Sequence, residues 1–474
     1  MPLSSAFPEL GIDRFSDAPL GAQLVEQIRQ AVLTGRLKPN VKLPSTRTLA
    51  LELGLSRATV LAAFEQLIAE GYLEGRHGSG TRVAAELPDT SLTVGEPLPR
   101  GISAPAHQPQ QEPKPFQLGI FDSDHFPHDA WGKLLGRIWR RPPPYLLNSD
   151  DPFGFYPLRS ALACHLHEWR GMVASPEQIV ITSGSADTFS LIREALFLPG
   201  DRLWMEEPGY PPARKILGVN GLDIVPIPVD GSGLDVSAGR ENAASARGAF
   251  VTPARHHPTG VTMTLGRRLE LIAWAKEHNA VILEDDYDSE HRYVGRPLPS
   301  LMSLAPDRIL YMGSFSKVFS PLLRLSFLIV PLRLTDRFRT LRQTLLPAPS
   351  LLAQPALASF IETGAFAQHI RRMRRIHAQR RRKLIAALTP GEPDLFRIEA
   401  PPAGLSLLLA LPPGQNDVLV AASLAKAGIE TQPLSSLYTK LKPRQGLILG
   451  FSGFEEDTLE CSATALIKIL ERSN

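Results

Sequence analysis

At 474 residues the chain is too long for a single hydrophobic core, so two or three domains are expected. Its 43% hydrophobic and 21% charged residues describe an ordinary soluble protein, with no apolar run long enough to span a membrane. The formal charge of +3 decides little, so any nucleic-acid site must be sought in local basic patches. The N-terminus lacks the basic start and apolar stretch of a secretion signal. The two cysteines, Cys164 and Cys461, show no metal or redox spacing, which fits a reducing cytoplasm.

Residues 12–83 read as a small head, helical and then extended. In "LGAQLVEQIRQAVLTGRL" Leu24, Ile28, Ala31 and Val32 share one helical face, and Gly35 suits the helix end. "LPSTRTLALELG" offers Ser45 as N-cap and Gly54 as stop. "LSRATVLAAFEQLIAEGYL" offers Ser56 as N-cap, with Val60, Phe64, Leu67 and Ile68 facing inward. "YLEGRHGSGTRV" predicts two short strands about a glycine-rich turn. Three helices and a hairpin make a winged helix-turn-helix. The helix after Ser56 would be the DNA-recognition helix, with Arg57 and Thr59 in its first turn. Arg47 is placed to reach the DNA backbone or a guanine edge, and the wing tip Arg76-His77-Gly78 to enter the minor groove. A helical protein-interaction module is the plainer alternative.

Residues 84–115 hold seven prolines and no hydrophobic periodicity, so they read as a linker. From 116 to 474 short apolar runs alternate with helical stretches. "QIVITSG", "RLWMEE", "LDIVPIPVD", "GAFVTP", "AVILEDD" and "RILYMGSFS" each end in polar or glycine residues. This is an α/β body with a largely parallel sheet, whose ligands gather at the carboxyl ends of the strands.

Those strand ends carry a set of residues suited to an aldehyde cofactor such as pyridoxal 5′-phosphate (PLP). It needs an amine for an imine, an acid for the ring nitrogen and a cradle for the phosphate. Lys317 in "GSFSKVFSPLLR" is the candidate amine, and Asp285 in "ILEDDYD" the acid. Tyr287, two residues on, is placed to donate to the ring oxygen. Ser314 and Arg324 flank the lysine as phosphate ligands. "ITSGSADTF" turns from strand to helix, so Ser183, Gly184, Ser185 and Ala186 can offer backbone N–H groups to the phosphate. Each feature alone is commonplace; their order, each at a strand end, is specific.

The head sequence "LPSTRTLALELGLSRATVLAAFEQLIAEGYLEGRHGSGTRV" resembles the DNA-binding domain of GntR-family regulators. That resemblance implies DNA contacts at Arg47, Arg57, Thr59, His77 and Gly78. "TSGSADT", "EEPGYPPAR", "TPARHHPTG", "EDDYDSEHRY" and "GSFSKVFSPLLRLSF" occur in the order of the aspartate-aminotransferase fold, the fold-type I PLP enzymes. Head and body together resemble the MocR subfamily of GntR regulators. The resemblance implies double-stranded operator DNA, a head-to-tail homodimer, PLP on Lys317 and a small-molecule effector. The regulated genes would serve vitamin B6 or amino-compound metabolism. It also puts Tyr210 near the site, and His257 where transaminases use an asparagine.

The pattern departs from working transaminases elsewhere. Ile448 in "GLILGFSGF" stands where they carry the arginine that grips the substrate carboxylate, and Ser149 replaces a phosphate-reaching tyrosine. The expectation is a PLP-dependent regulator that senses PLP itself or a small amine and is no enzyme beyond a residual half-reaction. An active aminotransferase, with Arg214 or Arg255 taking over the carboxylate, and a degenerate dimerisation scaffold are the alternatives. Finally, "HIRRMRRIHAQRRRK" (369–383) holds seven arginines around Ile370, Met373, Ile376 and Leu384. It is either a solvated amphipathic helix or a second basic surface for DNA.

Overall fold

The computed structural model describes residues 11–14, 16, 18–76, 80–87, 112–148, 151–295 and 298–472. His77, Gly78, Ser149 and most of the proline-rich linker lie outside them. Contacts divide the chain into two units, residues 1–110 and 111–474.

The first unit contains helices α1 (Leu20–Leu33), α2 (Thr46–Leu53) and α3 (Arg57–Ala69), then the antiparallel hairpin β1 (Leu73–Arg76) and β2 (Gly80–Val83). Its core gathers Leu24, Ile28, Ala31 and Val32 of α1 against Val60, Phe64 and Leu67 of α3. Both predicted caps form: Ser45 Oγ accepts from Thr48 N at 3.1 Å, and Ser56 Oγ from Thr59 N at 3.0 Å. Gly54 ends α2 in the left-handed region, φ 61°. Ile68 differs from expectation: it is 39% exposed, and Ala63 fills the inward position instead. A helix that packs on one side only buries a narrow seam, and Ile68 falls just off it.

The second unit is built on an eight-stranded sheet. Its strands are β3 (Ile179–Thr182), β4 (Arg202–Glu207), β5 (Asp223–Asp230), β6 (Gly233–Leu234), β7 (Gly248–Val251), β8 (Val281–Asp286), β9 (Ile309–Ser314) and β10 (Ser326–Ile329). The spatial order is β3-β10-β9-β8-β7-β4-β5-β6. β5, β4, β7, β8 and β9 run parallel; β10 is antiparallel to both β3 and β9. Helices fill the crossovers, so both faces are covered and alternate strand residues enter opposite cores. Trp204 and Ile282 join one core; Leu203, Met205 and Leu283 join the other. Trp204 stacks on Trp274 with ring centroids 3.7 Å apart, beside Gly239, where any Cβ would come within 2.6 Å of the indole.

A second layer, antiparallel, holds β11 (Arg397–Glu399), β12 (Ser406–Ala410), β13 (Gln432–Pro433) and β14 (Gly446–Gly450) in the order β11-β12-β14-β13. The long helix Ala365–Leu388 and the last helix Glu456–Glu471 pack with it through Leu384, Leu388, Leu459 and Leu466. Among the described residues no helix is long and apolar enough to cross a membrane.

Candidate cofactor site and DNA-reading helix

The parallel strands aim their carboxyl ends at one cavity of about 630 Å³. β8 delivers Asp285, and the residues after it Tyr287. β9 ends at Ser314, which caps the short helix Phe315–Val318 by accepting from Ser316 N at 3.2 Å; Lys317 rides on that helix. Of the other predicted residues, Ser185, Tyr210 and His257 also line the cavity.

Burial lowers the Lys317 amine below its usual range, with Asp288 opposing. A neutral amine is the nucleophile an aldehyde requires. The ammonium-end atom Nζ lies 3.1 Å from where a Cβ on Gly119 would stand, so Gly119 leaves it room. Burial pushes the Asp285 carboxyl up to about 7, with Asp286 and Asp288 adding to it. Among the described residues nothing donates a hydrogen bond to that carboxyl. Its neighbour Asp286 by contrast accepts from Arg170 and from Tyr311 at Oδ2, each at 2.7 Å, while its Oδ1 is buried without a partner among the described residues. Asp285 is therefore an acid facing a cavity without a counter-ion.

Tyr287 is held from behind. Its hydroxyl oxygen accepts from Arg255 Nη1 at 2.7 Å, which leaves the phenolic proton free to donate. Burial pushes that hydroxyl well above its usual range, so it stays protonated. His257 is lowered to about 3 by burial, with Arg255, His256 and Lys317 adding to it, and is a neutral imidazole. Its ring meets Tyr210 edge-on at 5.5 Å and Tyr287 at 6.1 Å. At the end of β4, burial pushes Glu206 up to about 8 while Thr252 N and Oγ1 donate to it.

The predicted phosphate cradle is only partly assembled around the cavity. Gly184 (φ 96°) precedes the helix Ser185–Leu196, whose first-turn N–H groups have no intrahelical partner. Ser185 lines the cavity; Gly184 and Ala186 do not. Ser183 N donates to Asp187 Oδ2 at 2.7 Å, so that N–H is already spent on capping its own turn. Ser314 Oγ accepts from Ser326 Oγ at 3.3 Å. Arg324 is exposed, in the left-handed region (φ 50°), and off the cavity wall.

The substrate-clamp candidates are otherwise engaged. Ile448 is 1% exposed in β14, packed with Leu408, Leu434 and Leu437. Arg255 gives its donors to Ala403 O, Tyr287, Asp288 and Ser406. Arg214 binds Glu207 at 3.0 Å and reaches Thr439, off the cavity wall. Among the described residues no arginine with a free fork lines the cavity.

Several wall residues escaped the sequence reading. Gly119 and Asp122 come from an irregular stretch with no periodicity to flag it. His291, His369 and His377 form a third side of the wall. His369 is lowered to about 4 by burial, with Arg372 adding to it, and nothing described hydrogen-bonds to it. Their signal was the two histidines inside the arginine-rich stretch, read there only as charge.

In the head, Arg57 opens α3 and Arg47 lies in α2; both are exposed, and neither forms an ion pair or hydrogen bond among the described residues. Ser56 and Thr59 spend their hydroxyls on each other at 2.8 Å, so their role in the structure is to start the helix. Arg76 ends β1.

The cavity fits PLP on two of its own features: an acid without a hydrogen-bond donor among the described residues, and an amine that burial lowers, with Gly119 leaving it room. Lys317, Asp285, Tyr287, Ser314 and the turn at Ser185 would hold it.

Comparison with known proteins agrees with both units. Residues 20–83 match the bacterial regulatory proteins of the gntR family, and residues 144–448 match aminotransferase class I and II. The probable rhizopine catabolism regulatory protein MocR of Rhizobium meliloti is 37% identical over 95% of this chain and 93% of its own. The pyridoxine biosynthesis transcriptional regulator PdxR of Corynebacterium glutamicum is 35% identical over 92% of this chain and 93% of its own. Among solved structures, a kynurenine aminotransferase of Pyrococcus horikoshii superposes with a TM-score of 0.71 at 24% identity, covering 77% of this chain and 92% of that one. The chain belongs to the MocR-type GntR regulators, a gntR DNA-binding domain followed by a class I and II aminotransferase-like domain.

Proposed function

We propose that this protein is a PLP-dependent transcriptional regulator, acting in the cytoplasm on operator DNA, whose body senses PLP or a small amine rather than transaminating an α-amino acid. One observation carries this: Lys317 and Asp285 face the cavity, while among the described residues no free guanidinium does. A charge-assisted contact of the missing kind contributes roughly 1.5–3 kcal/mol. An α-carboxylate entering the cavity forgoes it.

When bound, PLP supplies an aldehyde for an amine and a ring that draws electrons. The chain's residues do the rest. Lys317 would present an amine lowered by burial, Asp285 would balance a protonated ring nitrogen, Tyr287 would donate from a hydroxyl held by Arg255, and the neutral imidazole of His257 would line the cavity beside them. Neutral His369, without a hydrogen-bond partner among the described residues, suits the uncharged polar end of an amine better than a carboxylate.

A ligand moves a regulator only through unequal affinity for its conformations, and DNA affinity then changes by the same coupling. We further assign a homodimer, head-to-tail, in which two heads read two half-sites spaced by whole helical turns. The test is an absorption spectrum of the purified protein, with DNA binding followed as PLP and then a panel of amines and amino acids are titrated. A visible pyridoxal band and a PLP- or amine-dependent change in DNA affinity are expected. Sustained turnover of a common amino acid, with DNA affinity indifferent to every ligand, would overturn the reading, as would a PLP-loaded monomer in sedimentation for the assembly.

A further inference from the structure

The helix Ala365–Leu388 sorts its arginines into two groups. Arg374 donates to Glu290 O at 2.9 Å and lies over the Trp169 ring. Arg380 is buried and bonded to Asp122, Ser452 O and Glu455. Arg381 donates to Ala400 O and Pro401 O and covers Tyr293. These three hold the helix to the body. Arg371, Arg372, Arg375 and Arg382 are exposed, and none forms a hydrogen bond or ion pair among the described residues.

Their placement is regular. At 3.6 residues per turn, Arg371, Arg375 and Arg382 fall within about 40° of one another, and Arg372 borders them. They span about 16 Å of helix. Among the described residues only Lys383, at the end of the row, has an acidic partner, Glu460 at 2.9 Å. A purely solvated charged face ordinarily intersperses both signs to limit self-repulsion. This face carries only one, in a chain whose other unit is a gntR DNA-binding domain.

We propose that this arginine row is a second DNA-contacting surface, which binds the phosphate backbone of duplex flanking the site read by the head. Four unpaired guanidinium forks along about 16 Å match a polymer with one negative charge per about 1.7 Å of axis. The contact carries no base specificity; it adds affinity and salt dependence.

The inference rests on the regulator reading, and the experiment separates the two. Full-length PLP-loaded protein is compared with R371Q/R375Q/R382Q and with a charge-matched control, K215Q/R337Q/K440Q, whose sites lie elsewhere on the surface. Binding to random-sequence duplexes of about 20 and about 60 base pairs, roughly two and six helical turns, is measured from low to moderate salt. On the longer duplex the row variant is expected to lose about 2.7 from the log–log salt slope, three contacts at about 0.9 each, while the control keeps the wild-type slope. On the shorter duplex the row variant and wild type should bind alike. Retention of the pyridoxal band shows that the variant is folded. An unchanged slope on the longer duplex overturns the proposal, and so does an equal loss in the control or on both lengths. Loss of binding to polyglutamate with DNA binding intact would assign the row to an acidic protein and overturn it too. If wild-type protein binds neither duplex, the regulator reading itself fails.

Discussion

Arg255 Nη1 donates to the Tyr287 hydroxyl at 2.7 Å and, from the same nitrogen, to Asp288 at 3.0 Å. One buried guanidinium thus orients the ring-oxygen donor and neutralises an otherwise stranded carboxylate. It therefore has no donors left for a ligand. Arg255→Gln should destabilise the body by about 3–5 kcal/mol, because Asp288 would be left buried without its partner. Urea unfolding of the PLP-loaded protein measures this; a loss under about 1 kcal/mol would show that Arg255 is dispensable to the fold.

Lys317→Ala should abolish the visible pyridoxal band while the head still folds and binds DNA. Borohydride treatment followed by mass measurement of the intact chain provides the check. A variant that still traps cofactor covalently places the reactive amine elsewhere.

The Asp285 carboxyl makes stability depend on pH in a particular direction. Its folded value, about 7, lies above the 3.8 of the free group. The folded state therefore holds a proton that the unfolded chain releases first, and stability falls as pH rises from about 4 to about 7. Glu206, Glu284 and Asp288, pushed up by burial to about 8, 7 and 6, act in the same sense. Comparison of cofactor-free wild type with Asp285→Asn isolates one group: the gap between them should grow by roughly 2 kcal/mol in favour of the asparagine across that window. PLP should remove this gap, since a ring N–H⁺ gives the carboxylate its counter-ion. A gap independent of pH would mean that Asp285 titrates normally.

Arg57→Ala should weaken specific DNA binding by about 1–3 kcal/mol, the range of a bidentate base contact. Ser56→Ala should instead cost about 1 kcal/mol of head stability through the lost cap. Gel-shift titration and thermal melting separate the two effects. Equal DNA affinity for Arg57→Ala and wild type would remove Arg57 from the interface.

How much of this was legible depended on sequence distance. The strands were readable because each is an apolar run that stops abruptly, and the stops at Asp285 and Ser314 marked the cavity directly. The caps at Ser45 and Ser56 were equally local. Arg255 was open to misreading as a carboxylate clamp because its partners Ala403 and Ser406 lie 148 and 151 residues away. Ser183 was misjudged on a smaller scale: nothing in "TSGSAD" says that Asp187 will take its N–H. The arginine-rich stretch hid two kinds of arginine, since spacing alone does not tell a guanidinium that packs on Trp169 from one that meets water.

The segment that leaves Gly119 beside the Lys317 amine is also the first stretch of the body after the linker. It is pinned just upstream, where Glu430 N donates to Pro115 O at 3.0 Å and Gly450 N to Phe116 O at 2.8 Å. Only Gln117 separates that last anchor from Leu118, the first residue of the cavity wall. The first stretch of the body is thus fastened close to the Lys317 amine, and a displacement of Gly119 would strain a hydrogen-bonded anchor only three peptide bonds upstream.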